Sequence, residues 1–348
     1  MRSLKTRLLP LSMAVVGLFA AGAALAAPTY RIEVLGKGHG PAPKWASSIS
    51  DNGSVAGGAV DSETGESVSF RAHRGKKVEA LAETQAMHYP GKPQVSDAGV
   101  VVGRYQRDWD DHGGVWAADG TVTDLGPIVG CDDSRGVYPQ SINDAGAYVV
   151  EIDCPIGGVS TRGGFLVRDG VAVKVPPSDG RVTFPILINR REQVVGVTDY
   201  LTGTPYAFIW EEGKPVRRLT PLGLEVYPEA MNDRGHLVGM KVINLTWTPF
   251  LHDGKAMREL PLCGQHDVWP VAISNDGWIA GNFYGLGVSR DAALIRDGQC
   301  AELQSLLDDS AAGWSELSAD DMNNDGVIVG HGRFEGYRRV FIATPLSR

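Results

Sequence analysis

The chain has 348 residues, four cysteines and a formal charge of −8. Without the basic residues Arg2, Lys5 and Arg7 the charge falls to about −11, an acidic balance that argues against binding a phosphate backbone, so no nucleic-acid partner is expected. Past residue 26 no apolar run approaches the roughly 20 residues that a membrane-spanning helix needs, so no span is expected either.

Residues 1–26 read as a secretory signal peptide. Three basic residues precede an apolar stretch from Leu11 to Leu25, and Ala24-Leu25-Ala26 has the small-residue pattern of a cleavage site. No cysteine stands there to carry a lipid, so residues 27–348 are expected as one exported domain, periplasmic or secreted.

That domain is organised by repetition. ISDNGSVAG, VSDAGVVVG, INDAGAYVV, INRREQVVG, MNDRGHLVG, ISNDGWIAG and MNNDGVIVG begin at Ile49, Val95, Ile142, Ile188, Met231, Ile273 and Met322, with steps of 46, 47, 46, 43, 42 and 49 residues. A period of about 40–50 residues marks propellers and solenoids. Asn or Asp followed by Gly supplies the positive-φ positions of a tight hairpin, and the flanking β-branched residues favour strands. A second strand pair follows each hairpin, as in Tyr206-Ala-Phe-Ile-Trp210, a turn at Glu211–Gly213, and Pro215-Val-Arg-Arg-Leu219. Four short antiparallel strands make one propeller blade. After the seventh hairpin only a third strand remains, Arg339–Ala343, while Tyr30–Leu35 before the first hairpin has the fourth-strand pattern. The expected fold is therefore an all-β, seven-bladed propeller of four-stranded antiparallel blades, its ring closed when the N-terminal strand joins the last blade.

Four cysteines in an exported chain point to two disulfides. Cys131 and Cys154 flank the third hairpin and Cys263 and Cys300 fall in the sixth unit, so local pairing is expected.

The I-N-D-x-G-x-V-V-G turn, the Ala207–Trp210 strand and the Asp124-Leu-Gly126 exit resemble the HAF repeat of bacterial extracellular proteins, over nearly the whole mature chain. The His of the His-Ala-Phe triplet is replaced by Tyr206, Gly113 or Gly163, and the fourth turn, Asn189-Arg-Arg-Glu192, lacks Gly. The resemblance implies a repeat architecture, and no catalytic residues can be carried over from it.

Function is then expected on loops held by the scaffold. If the turns between strands one and two, and three and four, are short, the longer connections crowd onto the opposite face. An aromatic precedes most first strands: Trp45, Tyr89, Tyr138, Phe184, Tyr227, Trp269 and Trp314. Packing between neighbouring blades is the plainer reading of that ring, and stacking on sugar faces the sharper one, with Trp45, Tyr227 and Trp269 as the stacking candidates. Beyond the second strands come Arg104 and Tyr105, Glu151 and Asp153, Asp199 and Tyr200, Lys241, Asn282 and Tyr284, His331 and Arg333, a set of unlike polar groups expected to converge on the channel mouth. Solvated loop ends are the competing reading.

Two further motifs weigh less. Asp321-Met-Asn-Asn-Asp325-Gly326 opens like a calcium loop, but Gly332 stands where a bidentate Glu is needed. Asp108-Trp-Asp-Asp-His112 gathers possible metal ligands on one loop, yet adjacent residues point in different directions. No metal site and no cofactor are expected. The leading functional expectation is a monomeric, non-catalytic propeller that binds a glycan, a peptide or an envelope or extracellular protein. The alternative is a polysaccharide-active enzyme, lyase or hydrolase, at the channel mouth, with His331 or Tyr284 moving a proton and Arg104 or Arg333 neutralising a uronate.

Overall fold

The computed structural model describes residues 28–36, 41–73, 76–82, 92–107, 110–132, 135–199, 203–220, 224–285 and 291–346. The expected signal peptide, Tyr89, Asp108, Trp109 and Tyr200 lie outside these residues. Among the described residues, twenty-eight strands form seven antiparallel four-stranded sheets, the blades of a propeller. Blade one consists of Ala42–Ile49, Ser54–Val60, Ser67–His73 and Glu79–Ala80, running from the axis outwards. Blade seven takes three strands from the C-terminal end and its fourth, Tyr30–Val34, from the other, with Tyr30 opposite Pro345 and Val34 opposite Phe341. The ring closes as the complementary ends of the sequence implied.

Each inner hairpin turns on a glycine in the left-handed region, Gly53, Gly99, Gly146, Gly235, Gly277 and Gly326, with φ between 75° and 91°. In the fourth unit Glu192 takes that conformation at φ 57°, so the missing glycine leaves the turn intact.

The core lies between the blades. Seven apolar clusters fill the seven interblade gaps, such as Val195, Ala207 and Ile209 of blade four against Val226, Leu237 and Phe250 of blade five. Each sheet is therefore apolar on both faces. The disulfides pair as expected, Cys131 with Cys154 and Cys263 with Cys300, at Cα separations of 5.9 and 5.2 Å. Two disulfides suit an oxidising compartment. Among the described residues no helix is long and apolar enough to cross a membrane.

One face differs from expectation. The connections between second and third strands are not uniformly long: in blades three, five and seven they are two-residue turns, Gly157-Gly158, Asn244-Leu245 and Glu335-Gly336, with positive φ at both positions. That is the turn type whose twist suits a hairpin. In these blades longer strands, up to the ten residues of Val159–Arg168, carry the hairpin outwards instead of a loop.

Candidate functional site

The inner strands carry a repeated irregularity that builds the site. In four blades an aromatic is followed by Pro, which removes one N–H from the strand, and the ladder slips by one residue just beyond it, while blades one and seven slip at the same place after Ala46 and Ala319. Register shifts leave Ser47, Gln140, Ile186, Glu229, Val271 and Asp320 as extra residues in six of the seven inner strands. All six line the axial channel. The glycine that ends most repeats follows from the same bulge. A Cβ at Gly196, Gly239, Gly281 or Gly330 would lie 2.0–2.4 Å from the carbonyl oxygen two residues before the bulge, closer than any side chain tolerates.

At the hairpin end the channel is plugged. The third residue of each turn, Asp51, Asp97, Asp144, Arg190, Asp233, Asn275 and Asn324, reaches the axis. Going round, the N–H of Arg190 donates to Asp233, that of Asp233 to Asn275, that of Asn275 to Asn324 and that of Asn324 to Asp51, at 2.7–2.9 Å. The side chains of Asn143, Asn189, Asn232 and Asn323 donate to a carbonyl of the next blade's turn at 2.9–3.1 Å. Arg190 lies 3.1 Å from Asp97, 3.6 Å from Asp51 and 3.7 Å from Asp144, so it crosses the axis and sits among the carboxylates. Even so, burial and the charges of Asp51 and Asp97 push Asp144 up to about 6.

Above the plug the channel widens into a well of two adjoining cavities, about 490 and 610 Å³, with Ser47, Lys92, Val271 and Asp320 on both walls. These volumes are in the range of small-ligand sites. Four carboxylates, Glu151, Glu229, Asp320 and Asp321, face Lys92 and Arg104. Burial raises Glu151, opposed by Arg162, and raises Glu229, opposed by Lys92 and a hydrogen bond from the Trp269 indole. Asp321 lines the channel wall with protein packed around it, and burial pushes it up to about 7 against the N–H groups of Ile49 and Met322. Nδ1 of His331 lies 3.1 Å from both oxygens of Asp320, and Asn282 is fixed by Ala319 and Ser318. The wall thus carries both hydrogen-bond donors and acceptors.

A row of aromatics leads to the rim. Tyr227, Trp247, Trp269 and Tyr284 succeed one another at centroid distances of 4.8, 5.6 and 5.3 Å, and the last two line the smaller cavity with Trp45.

Of the residues singled out in the sequence, Trp45, Arg104, Tyr138, Glu151, Trp269, Asn282, Tyr284 and His331 line the well. Arg104 is also paired with Asp111 at 3.3 Å and lies 6.0 Å above the Tyr138 ring. Tyr227 joins the aromatic row, its hydroxyl donating to Glu225. Four others are elsewhere. Tyr105 is fully buried against Trp116, its hydroxyl donating to Asp124 at 3.0 Å. Asp199 is buried and accepts the N–H of Val182, Lys241 is buried against Glu259, and Arg333 pairs in the open with Glu316. The physical reason is the alternation of strand side chains: the neighbour of a channel-facing residue points into a blade interface or to the rim.

The four residues expected to serve a lyase are divided. His331 and Tyr284 share one cavity, Arg104 belongs to the other, and Arg333 to neither. Sequence reading missed Ser47, Lys92, Gln94, Gln140, Glu229, Asp320, Asp321 and Trp247. For Gln140 and Glu229 the available signal was the variable residue between the aromatic-Pro pair and the apolar start of the hairpin. The described residues of the two weaker motifs are engaged elsewhere: Asp321 faces the channel, Asn323 clamps the next turn, Asp110 pairs with Arg135, and His112 stacks on Tyr105. Among the described residues no group of three or more possible ligands is placed to hold an ion.

Comparison with protein-family models and with curated proteins gives no match. Solved structures do align. The β-propeller domain of the Trilobed protease from Pyrococcus furiosus, described as having an open velcro topology, is 13% identical, with a TM-score of 0.58 over 88% of this chain and 97% of that one. A streptogramin B lyase is 12% identical, with a TM-score of 0.52 over 91% and 98%. A puromycin hydrolase mutant complexed with PGG is 16% identical, with a TM-score of 0.57 over 88% of this chain and 52% of that one. The likeness is one of fold. Here the N-terminal strand closes the ring.

Proposed function

We propose that this chain is an exported propeller of the HAF-repeat kind that binds a glycan in its axial well, with blades five and six supplying the stacking surface. The aromatic row carries the reading, because it runs directly into a cavity lined by carboxylates, amides and hydroxyls. Rings offer sugars their apolar faces, and donors and acceptors on one wall suit hydroxyl groups. Four carboxylates against Lys92 and Arg104 favour neutral or basic sugars over uronates. The expected compartment, periplasmic or extracellular, accords with the two disulfides.

The test is calorimetric titration of the mature protein with neutral, basic and acidic oligosaccharides. Trp269→Ala and Glu229→Gln each weaken binding by about 1–3 kcal/mol, roughly tenfold or more, while Arg333→Ala outside the well leaves it unchanged. Uronate binding, or equal loss in the Arg333 variant, contradicts the assignment.

One observation favours a second reading, a polysaccharide-active enzyme. His331 is oriented by Asp320 through Nδ1, leaving the other ring nitrogen for a ligand in the cavity, as a proton acceptor requires. Chromatography of a bound oligosaccharide after long incubation decides it. Products that disappear in His331→Ala support turnover, and an intact oligosaccharide rules it out.

A further inference from the structure

We infer that the well receives the free end of a linear oligosaccharide and not an internal segment of a polymer, an inference that rests on the glycan reading above. The first support is the floor. Arg190 reaches Asp51, Asp97 and Asp144 across the axis, and Asn324 of blade seven reaches Asp233 of blade five, so the turns close the hairpin end. A chain that enters the well has no exit below.

The second support is the asymmetry of the rim. On blades five and six Tyr227, Trp247, Trp269 and Tyr284 pack on one another in a continuous row, and Tyr284 is 37% exposed. Across the mouth, guanidinium groups lie over the corresponding rings: Arg104 is 6.0 Å from the Tyr138 centroid and Arg162 is 5.1 Å from that of Phe184. Trp45 stands on the wall of the smaller cavity, and among the described residues the row of mutually packed rings that borders the well is the one on blades five and six. An internal segment needs one lane in and another out. The row on blades five and six, above a closed floor, fits a ligand whose last unit sits among Glu229, Asp320 and Asn282 and whose body lies along the rings.

Stoichiometry tests this. The intact mature protein is titrated with short and long members of neutral gluco-, manno- and N-acetylglucosamine oligosaccharide series. The same oligomers are also immobilised through one end or the other. End recognition predicts one protein per chain at every length, and capture in only one of the two immobilised orientations. A ratio that climbs with chain length, or equal capture in both orientations, overturns the inference and leaves glycan binding standing. Absence of binding to every series overturns both.

Discussion

At the scale of single residues, the axis explains choices that look arbitrary along the chain. Gly239 faces the Tyr227 carbonyl, and a Cβ there would lie 2.1 Å from it. Gly239→Ala is therefore expected to destabilise the fold by about 1–3 kcal/mol, the usual cost of overpacking, whereas Gly213→Ala, in a turn with open space around it, strains only its φ of 77°. Chemical denaturation of the two variants separates close approach from turn conformation. Arg190 is the odd member of the third-position series. It lies among Asp51, Asp97 and Asp144, at 3.1–3.7 Å from the three carboxylates. The sign follows from Asp144. Its folded value near 6 is above the ordinary carboxylate value of about 4, so its ionisation costs stability as pH rises through that window, and Arg190 offsets the cost. Arg190→Met is expected to lower the melting temperature more at pH 8 than at pH 5. An equal loss at both pH values would mean that the guanidinium acts by packing alone. The Arg was plain in the sequence as a departure from Asp. Its role was not, because nothing in a linear repeat shows that seven turns meet at one point.

At the scale of elements, turns and strands were the most readable part of the chain, since left-handed glycines and alternating apolar residues act locally. The Ala207–Trp210 strand and the N-terminal closing strand lie where the repeat placed them. The bulges were hidden, because an aromatic-Pro pair signals a broken ladder only once the partner strand is known. The hairpin tips were also misjudged as long loops. At one of them the chain uses Asn244-Leu245 where Asn-Gly is the favoured pair, and Leu245, at φ 65°, is 93% exposed. Leu245→Gly is expected to stabilise the protein by about 0.5–1 kcal/mol, because a side chain in the left-handed region is strained and this one buries nothing. A rise in the denaturation midpoint with an unchanged slope checks it. The disulfides close loops with sequence separations of 23 and 37, and by chain entropy each contributes about 3–4 kcal/mol.

At the scale of the whole molecule, closure does two things. The N-terminal strand covers the edge of the last blade, and the ring brings seven inner strands round one axis, so that residues some 270 positions apart, such as Asp321 and Ile49, hydrogen-bond directly. Half of the site was therefore out of reach of sequence reading. Arg104, Glu151, Tyr284 and His331 were found because they are unlike residues at like places. Glu229 and Asp320 were not, since their exposure to the channel depends on bulges in separate blades. The chemistry of the well is collective: burial raises Glu151, Glu229 and Asp321, and its stacking surface spans two blades. The most direct measurement is a crystal structure of the mature protein with the tightest-binding oligosaccharide from the titrations. The account predicts sugar density in the well between Trp269 and His331, continuing over Trp247 towards Tyr227. Density on the hairpin-turn face or along the outer strands, with the well holding only water, would contradict it.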